Sequence, residues 1–183
     1  MTERADDDVN VADLDFQTFV QFAEERAAEL EPGLDVEAMR FVLTLTRAAS
    51  TVVYDLESSV HRPAGWSWAG FRLVFVLWMA GPLEARIAAK LSGNSRQATS
   101  TLANTLERRG ILERLPDPAD GRSVLFRLTE AGIEAIQGVY ADHNRREQLW
   151  ASVLTAEERE AATRIVAKLL TAAPGLDVRR RHD

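Results

Sequence analysis

The chain has 183 residues, 46% hydrophobic and 27% charged, which is typical of a globular protein with one domain or one domain and an added arm. It has no cysteine, which excludes disulfides, thiolate metal sites and cysteine nucleophiles, and its three histidines match no metal-ligand spacing. The net charge of −6 is unevenly distributed along the chain. Residues 1–40 carry 3 basic and 12 acidic residues, whereas residues 81–128 carry 8 basic and 5 acidic residues. Local rather than total charge decides whether a surface attracts phosphates.

The N-terminal part of the chain is predicted to be an acidic arm followed by helices. Residues 1–13 hold a run of aspartates and are expected to be disordered. Apolar residues spaced three and four apart then predict an amphipathic helix over 14–30, which Pro32 and Gly33 end, and a long helix over 35–60. We therefore expect a helical region over 14–60.

A more hydrophobic helix follows a break at residues 61–65. Ser67 is its expected N-cap, and Gly81 with Pro82 ends it. The apolar segment Phe71–Gly81 is too short to span a membrane and carries Arg72. Since the N-terminus also lacks the pattern of a signal peptide, we expect a cytoplasmic protein without a membrane partner.

The next segment predicts two helices joined by a turn. Glu84–Leu91 is a short helix, and Leu91–Ser95 is a turn with a glycine at its centre. Asn94 or Ser95 caps the following helix, which runs to Arg109 and has Gly110 as its C-cap.

A β-hairpin and two further helices complete the chain. The apolar runs Ile111–Leu115 and Val124–Leu128 flank a proline-, aspartate- and glycine-rich tip. Thr129 begins a long helix, and Thr155 with Glu158 forms a capping box for the last one. The predicted fold is mainly α with a small β-hairpin. It is a winged helix-turn-helix over 61–132 with helical regions at 14–60 and 133–173, and a flexible tail at 174–183.

The stretch TLERRGILERLPDPADGRSVLFRLTEAG resembles the signature of the MarR family of winged-helix transcription regulators. With the preceding helix pair the resemblance covers residues 82–132. One departure is Gly121, which stands where many members have a second arginine. The matching residues are Leu106, Glu107, Arg108, Arg109, Gly110, Asp117, Pro118, Asp120, Arg122, Ser123, Leu128, Thr129 and Gly132.

The predicted helix 95–109 has a face of small hydroxyls and amides, which suits a helix lying against base edges in the major groove. The alternative is an ordinary solvated face. The hairpin tip 116–123 is expected to lie on the minor groove, with Asp120 holding the Arg122 guanidinium by a charge-assisted pair. The alternative is that Asp120 and Arg122 form an ordinary surface ion pair with no DNA contact. The candidate DNA-binding residues are Ser95, Arg96, Gln97, Thr99, Ser100, Thr101, Asn104, Arg108, Asp120, Arg122 and Ser123.

The resemblance also implies partners. It implies a homodimer, formed by residues 36–60 and 140–170, that reads a pseudo-palindromic duplex operator and most often represses. It further implies a small aromatic or anionic effector. Composition and histidine spacing, rather than the resemblance, lead us to expect no cofactor or metal. Aromatic and cationic side chains suit such an effector, although they could instead belong to the core. The candidates are Tyr54, His61, Arg62, Trp66, Trp68 and Arg72.

Two other classes of function were weighed against this one. A winged helix can serve as a protein-interaction module without specific DNA binding, and a flat dependence of duplex binding on salt would favour it. An enzyme is not expected, because the sequence has no glycine-rich phosphate loop, nucleophile elbow or metal cluster.

Overall fold

A computed structural model describes residues 13–31, 33–118 and 123–173. The predicted acidic arm, apart from Asp13, and the predicted tail lie outside these ranges. The chain divides into two compact units, Met1–Val52 and Val53–Asp183. No helix among the described residues combines the length and the hydrophobicity needed to cross a membrane.

The first unit consists of two predicted helices. Helix α1 spans Phe16–Leu30 and begins at Asp15, whose Oδ1 accepts a hydrogen bond of 2.9 Å from the amide of Thr18. Helix α2 spans Val36–Leu56, and its residues up to Val52 belong to this unit. Both helices confirm the periodicity prediction, except that the regular part of α2 ends at Leu56 rather than near Val60.

The second unit opens with the end of α2, which continues into one π-helical turn over Glu57–His61. It then contains a helix, a short strand, two more helices and a hairpin, in the order predicted for a winged helix. A two-residue strand, β1, was missed because so short a segment has no periodicity. The elements are α3 (Trp68–Ala80), β1 (Leu83–Glu84), α4 (Ala85–Ser92), α5 (Arg96–Arg108), β2 (Leu112–Pro116) and β3 (Val124–Leu128).

The three strands form an antiparallel sheet in the order β1-β3-β2. Residues that pair across neighbouring strands lie on the same face of the sheet. Leu112 pairs with Leu128 and Arg114 pairs with Phe126, and these four residues lie on the face that is turned towards α5. Glu113 and Arg127 pair on the opposite face. The inner face packs on α3 and α5 in a core whose buried members include Phe71, Leu73, Val74, Leu77, Ala88, Ala103, Leu106, Leu112, Phe126, Leu128 and Ile136.

Two long helices follow the hairpin. Helix α6 spans Glu130–Ala151 with Thr129 as its N-cap, and α7 spans Ala156–Ala172 with the predicted capping box. The first turn of α6 lies so close to β2 that a Cβ on Gly132 would stand 2.1 Å from the carbonyl oxygen of Ile111. The glycine of the Leu-Thr-x-x-Gly motif is therefore required by this close approach.

Candidate nucleic-acid interface and adjoining cavity

Helix α5 begins at a well-defined turn. Gly93 ends α4 in the left-handed conformation (φ +67°), as the sequence predicts. Ser95 is the N-cap, and its Oγ accepts a hydrogen bond of 3.1 Å from the amide of Ala98. The side chain of Asn94 is buried and donates to the carbonyl of Ala69 (3.1 Å), which ties the turn to α3.

One face of α5 is packed inside the unit. Thr99, Ala103 and Leu106 are buried, and the Thr99 hydroxyl donates to the carbonyl of Ser95 (2.9 Å). Thr99 is 1% exposed, so its placement among the DNA-binding residues was wrong. Thr99 satisfies its hydroxyl within the helix and can therefore be buried like an apolar residue.

The opposite face of α5 is exposed and polar. Thr101 donates its hydroxyl to the carbonyl of Gln97 (3.1 Å), which leaves its methyl group and an oxygen lone pair for a partner. Arg108 lies along the helix and donates to the carbonyl of Asn104 (3.3 Å). The residues predicted for DNA contact that lie exposed here are Arg96, Gln97, Ser100, Thr101, Asn104 and Arg108.

The hairpin tip is described only at its base. The amide of Asp117 donates to the carbonyl of Ser123 (3.0 Å), which continues the ladder one step beyond β2 and β3. The predicted wing residues Asp120 and Arg122 lie outside the described residues.

A cleft of about 400 Å³ lies between α4, the first half of α5 and the sheet. Three arginines line it, namely Arg86 from α4, Arg96 from α5 and Arg114 from β2. Such a concentration of guanidinium groups beside an exposed polar helix suits a phosphate backbone. Neither Arg86 nor Arg114 was predicted to contact DNA, although both belong to the basic block 81–128.

A second cavity, of about 290 Å³, lies between α3, α4 and α6. Among the six candidate effector residues, only Trp68 and Arg72 line it. Sequence reasoning missed its α6 residues, although Tyr140, His143 and Glu147 are spaced so that they share one helix face. The full lining is Trp68, Phe71, Arg72, Phe75, Val76, Leu91, Ser92, Tyr140, His143 and Glu147.

Three of the other candidates lie elsewhere. Tyr54 is 67% exposed, and Arg62 is exposed with its Nε 3.7 Å from Glu57; neither lines this cavity. Trp66 is buried in the hydrophobic core, which confirms the alternative reading of that residue. The cavity between α3, α4 and α6 therefore does not include these three candidates, because composition alone does not show which way a side chain points.

His61 lies behind the cavity wall in a polar chain. Its Nε2 is 3.1 Å from Nδ1 of His143, and His143 Nε2 is 3.1 Å from a carboxylate oxygen of Glu147. The His61 ring stacks on Phe71 with centroids 4.2 Å apart. Burial, and to a lesser degree repulsion from His143, lowers the pKa of His61 to about 4, so this imidazole is neutral at pH 7.

Arg72 joins the cavity to the start of α5. Its Nη2 donates to Oδ1 of Asn94 (2.8 Å), and its guanidinium lies 5.6 Å from the ring centroid of Trp68. Its Nε is buried and has no hydrogen-bond partner among the described residues. A buried donor without a partner is costly, so an acceptor on a ligand in this cavity would satisfy it.

Comparison with known proteins identifies the family. The MarR family pattern matches residues 66–124. The HTH-type transcriptional regulator PecS of Dickeya dadantii (strain 3937) is 32% identical to the chain over 132 residues, which are 70% of this chain and 78% of PecS. The chain belongs to the MarR family. Membership agrees with the expectation of a regulator rather than an enzyme.

Solved structures of MarR-type regulators share the fold. A MarR mutant from E. coli in complex with operator DNA aligns with a TM-score of 0.62 and 22% identity, covering 70% of this chain and 95% of the other. BpsR of Bordetella bronchiseptica, described for the regulation of its DNA binding by 6-hydroxynicotinic acid, aligns with a TM-score of 0.63 and 22% identity, covering 69% of this chain and 95% of the other. The winged helix-turn-helix prediction is thereby confirmed.

Proposed function

We propose that this protein is a dimeric transcriptional regulator that binds double-stranded DNA at specific sequences. The observation that supports it best is the exposed polar face of α5 beside a cleft lined by Arg86, Arg96 and Arg114. The polar face reads bases in the major groove, and Arg86 and Arg96 neutralise phosphates next to it. DNA binding in the related E. coli MarR structure agrees with this use of the fold.

The hairpin adds a contact on the neighbouring minor groove. The proposed contact is made by Arg122, and it rests on the sequence pattern of the hairpin tip. A narrow minor groove has an enhanced negative potential, which attracts an inserted arginine. Asp120 would orient that guanidinium by a charge-assisted pair.

A second copy of the chain completes the regulator. In α7 no residue is buried by the described chain, and Ile165, Val166, Leu169 and Leu170 are 37% to 71% exposed. The first unit likewise exposes Phe41 and Val42 on α2. Apolar faces of this kind are covered in a homodimer, and its two recognition helices then read half-sites about one duplex turn apart. A dimer seated on a promoter represses by blocking transcription.

A small aromatic carboxylate in the cavity between α3, α4 and α6 relieves this repression. The aromatic rings of Trp68 and Tyr140 supply stacking surfaces, and the buried Nε of Arg72 supplies a donor for an anionic group. Because Arg72 also holds Asn94, an anion that competes for its guanidinium loosens the turn that starts α5. The effector named for BpsR is an aromatic acid, which fits this chemistry.

Selection from a random duplex pool tests the proposed function. The wild type should enrich a two-fold-symmetric motif, and affinity for that motif should fall steeply with salt because phosphate contacts release counterions. Absence of an enriched motif, together with a flat salt dependence, would favour a protein-interaction module instead.

The cavity has a separate test with 6-hydroxynicotinic acid as the probe. It should weaken binding of the wild type to the selected duplex, and Arg72→Met should abolish that response. Asn94→Ala should raise the probe's affinity, because it removes the competitor for Arg72, and lose the probe's effect on DNA binding. If the probe weakened DNA binding equally in all three proteins, the Arg72–Asn94 hydrogen bond would not couple the cavity to DNA binding.

A further inference from the structure

Arg114 on β2 reaches across to the recognition helix and holds the side chain of Asn104. Its Nη2 donates to Oδ1 of Asn104 over 2.7 Å. A guanidinium carries only N–H donors, so the amide oxygen must be the atom that faces it. The orientation of the Asn104 amide is therefore fixed by chemistry, with the oxygen towards the sheet.

Two further contacts keep Arg114 in place. Its Nη1 donates to the carboxylate of Glu107, one turn beyond Asn104 on the same helix. Its guanidinium lies 5.3 Å from the ring centroid of Phe126, its cross-strand partner on β3. The Arg114 side chain is 30% exposed, so the pair is partly shielded from water. Arg114 is thus held on three sides and pins Asn104 firmly.

The pinned amide turns its oxygen to Arg114, which leaves its nitrogen as the atom open to a partner. Asn104 is exposed, next to Thr101 and Arg108 on the proposed base-reading surface. Among the described residues its Nδ2 has no hydrogen-bond partner. An unrestrained asparagine pairs bidentately with adenine, using its oxygen and its nitrogen together. Here Arg114 takes one lone pair of the oxygen and holds that oxygen towards the sheet, so the N–H donors are the groups left to face a base.

We infer that Arg114 is a positioning residue that makes Asn104 a donor-only reader of the major groove. Such a group favours bases that offer acceptors there, which are N7 and O6 of guanine, N7 of adenine and O4 of thymine, and it rejects cytosine, whose N4 is a donor. It gives adenine no bidentate advantage, contrary to what an asparagine on a recognition helix ordinarily suggests. The inference rests on the proposed DNA-binding function and specifies which base one of its residues selects.

The test is duplex selection with the wild type and two variants. Asn104→Asp retains an oxygen for Arg114 but turns a second acceptor outward, so the preference at one position of each half-site should move to cytosine. Its affinity for the wild-type motif should fall about 5- to 150-fold, as for one mismatched base contact. Arg114→Met retains an apolar stem over Phe126 and releases the amide, so adenine should become preferred at that same position.

Controls separate this inference from the proposed function. Arg127→Met changes a charge on the opposite face of the sheet and should leave every base preference unchanged. If Arg114→Met does not fold, Asn104→Asp decides alone, because it is isosteric. The inference is overturned if Asn104→Asp selects the same motif as the wild type. It is also overturned if the wild type requires adenine at the position where Asn104→Asp changes the base preference. Either result leaves the proposed function standing. A wild type that enriches no motif overturns both.

Discussion

Removing one arginine from the cleft should change the salt dependence of DNA binding by a calculable amount. Arg86 lies on α4, lines the cleft and is exposed, so Arg86→Ala removes one proposed phosphate contact from each protomer. Each phosphate contact contributes about −0.9 to the slope of log affinity against log salt. A dimer bound to two half-sites therefore loses about 1.8 of that slope.

The slope converts to a difference that a titration can resolve. Between about 50 and about 200 mM salt, the wild type should lose about 12-fold more affinity than Arg86→Ala. The assay is fluorescence anisotropy with the selected duplex at four or more salt concentrations. The matched control is Arg127→Ala, which removes the same charge from the sheet face turned away from α5 and should keep the wild-type slope.

The two variants together identify what the cleft does. Equal slopes for Arg86→Ala and the wild type would show that the cleft touches no phosphate. An equal reduction in Arg86→Ala and Arg127→Ala would show that only total charge matters, and the proposed orientation of the duplex would then be wrong.

Two further predictions concern folding. Gly132→Ala should destabilise the protein by about 1–3 kcal/mol in urea unfolding, because its Cβ would overlap the carbonyl of Ile111. Gly138→Ala on the same helix, where nothing lies within 4 Å, should be neutral or stabilising, and equal effects at both sites would contradict this reading. The unfolded chain protonates His61 near its ordinary pKa of 6.5 and the folded chain only near 4, so stability should fall as pH drops through this window. His61→Phe should flatten that fall in melting temperature, and an unchanged pH profile would show that His61 is not its source.

Most of the fold could be read from local signals. The caps at Ser67 and Thr129, the hairpin and the capping box at Thr155 each depend on a few neighbouring residues and were predicted from them. For α5, Ser95 proved to be the cap of the two residues considered, and the first hairpin strand lies one residue later than predicted. Strand β1 exists only because Leu83 and Glu84 pair with β3 far along the chain. Pairing of that kind leaves no local signal.

The candidate site was harder to predict because it depends on tertiary direction. The polar character of α5 indicated a reading face, but the burial of Thr99 follows from how α5 packs on its neighbours. Arg114 could not be assigned from sequence, since its link to Asn104 joins a strand to a helix. Likewise Tyr54 and Trp68 are both aromatic, yet only Trp68 faces the cavity.

Affinity for the selected duplex, compared with that for a shuffled duplex of the same composition at physiological salt, provides the decisive measurement. If α5 reads bases in both protomers, the selected duplex should bind at least about 1,000-fold more tightly. Gln97→Ala, on the exposed face of α5, should reduce that ratio with little change in affinity for the shuffled duplex. Equal affinity of the wild type for the two duplexes would contradict sequence-specific recognition by this protein.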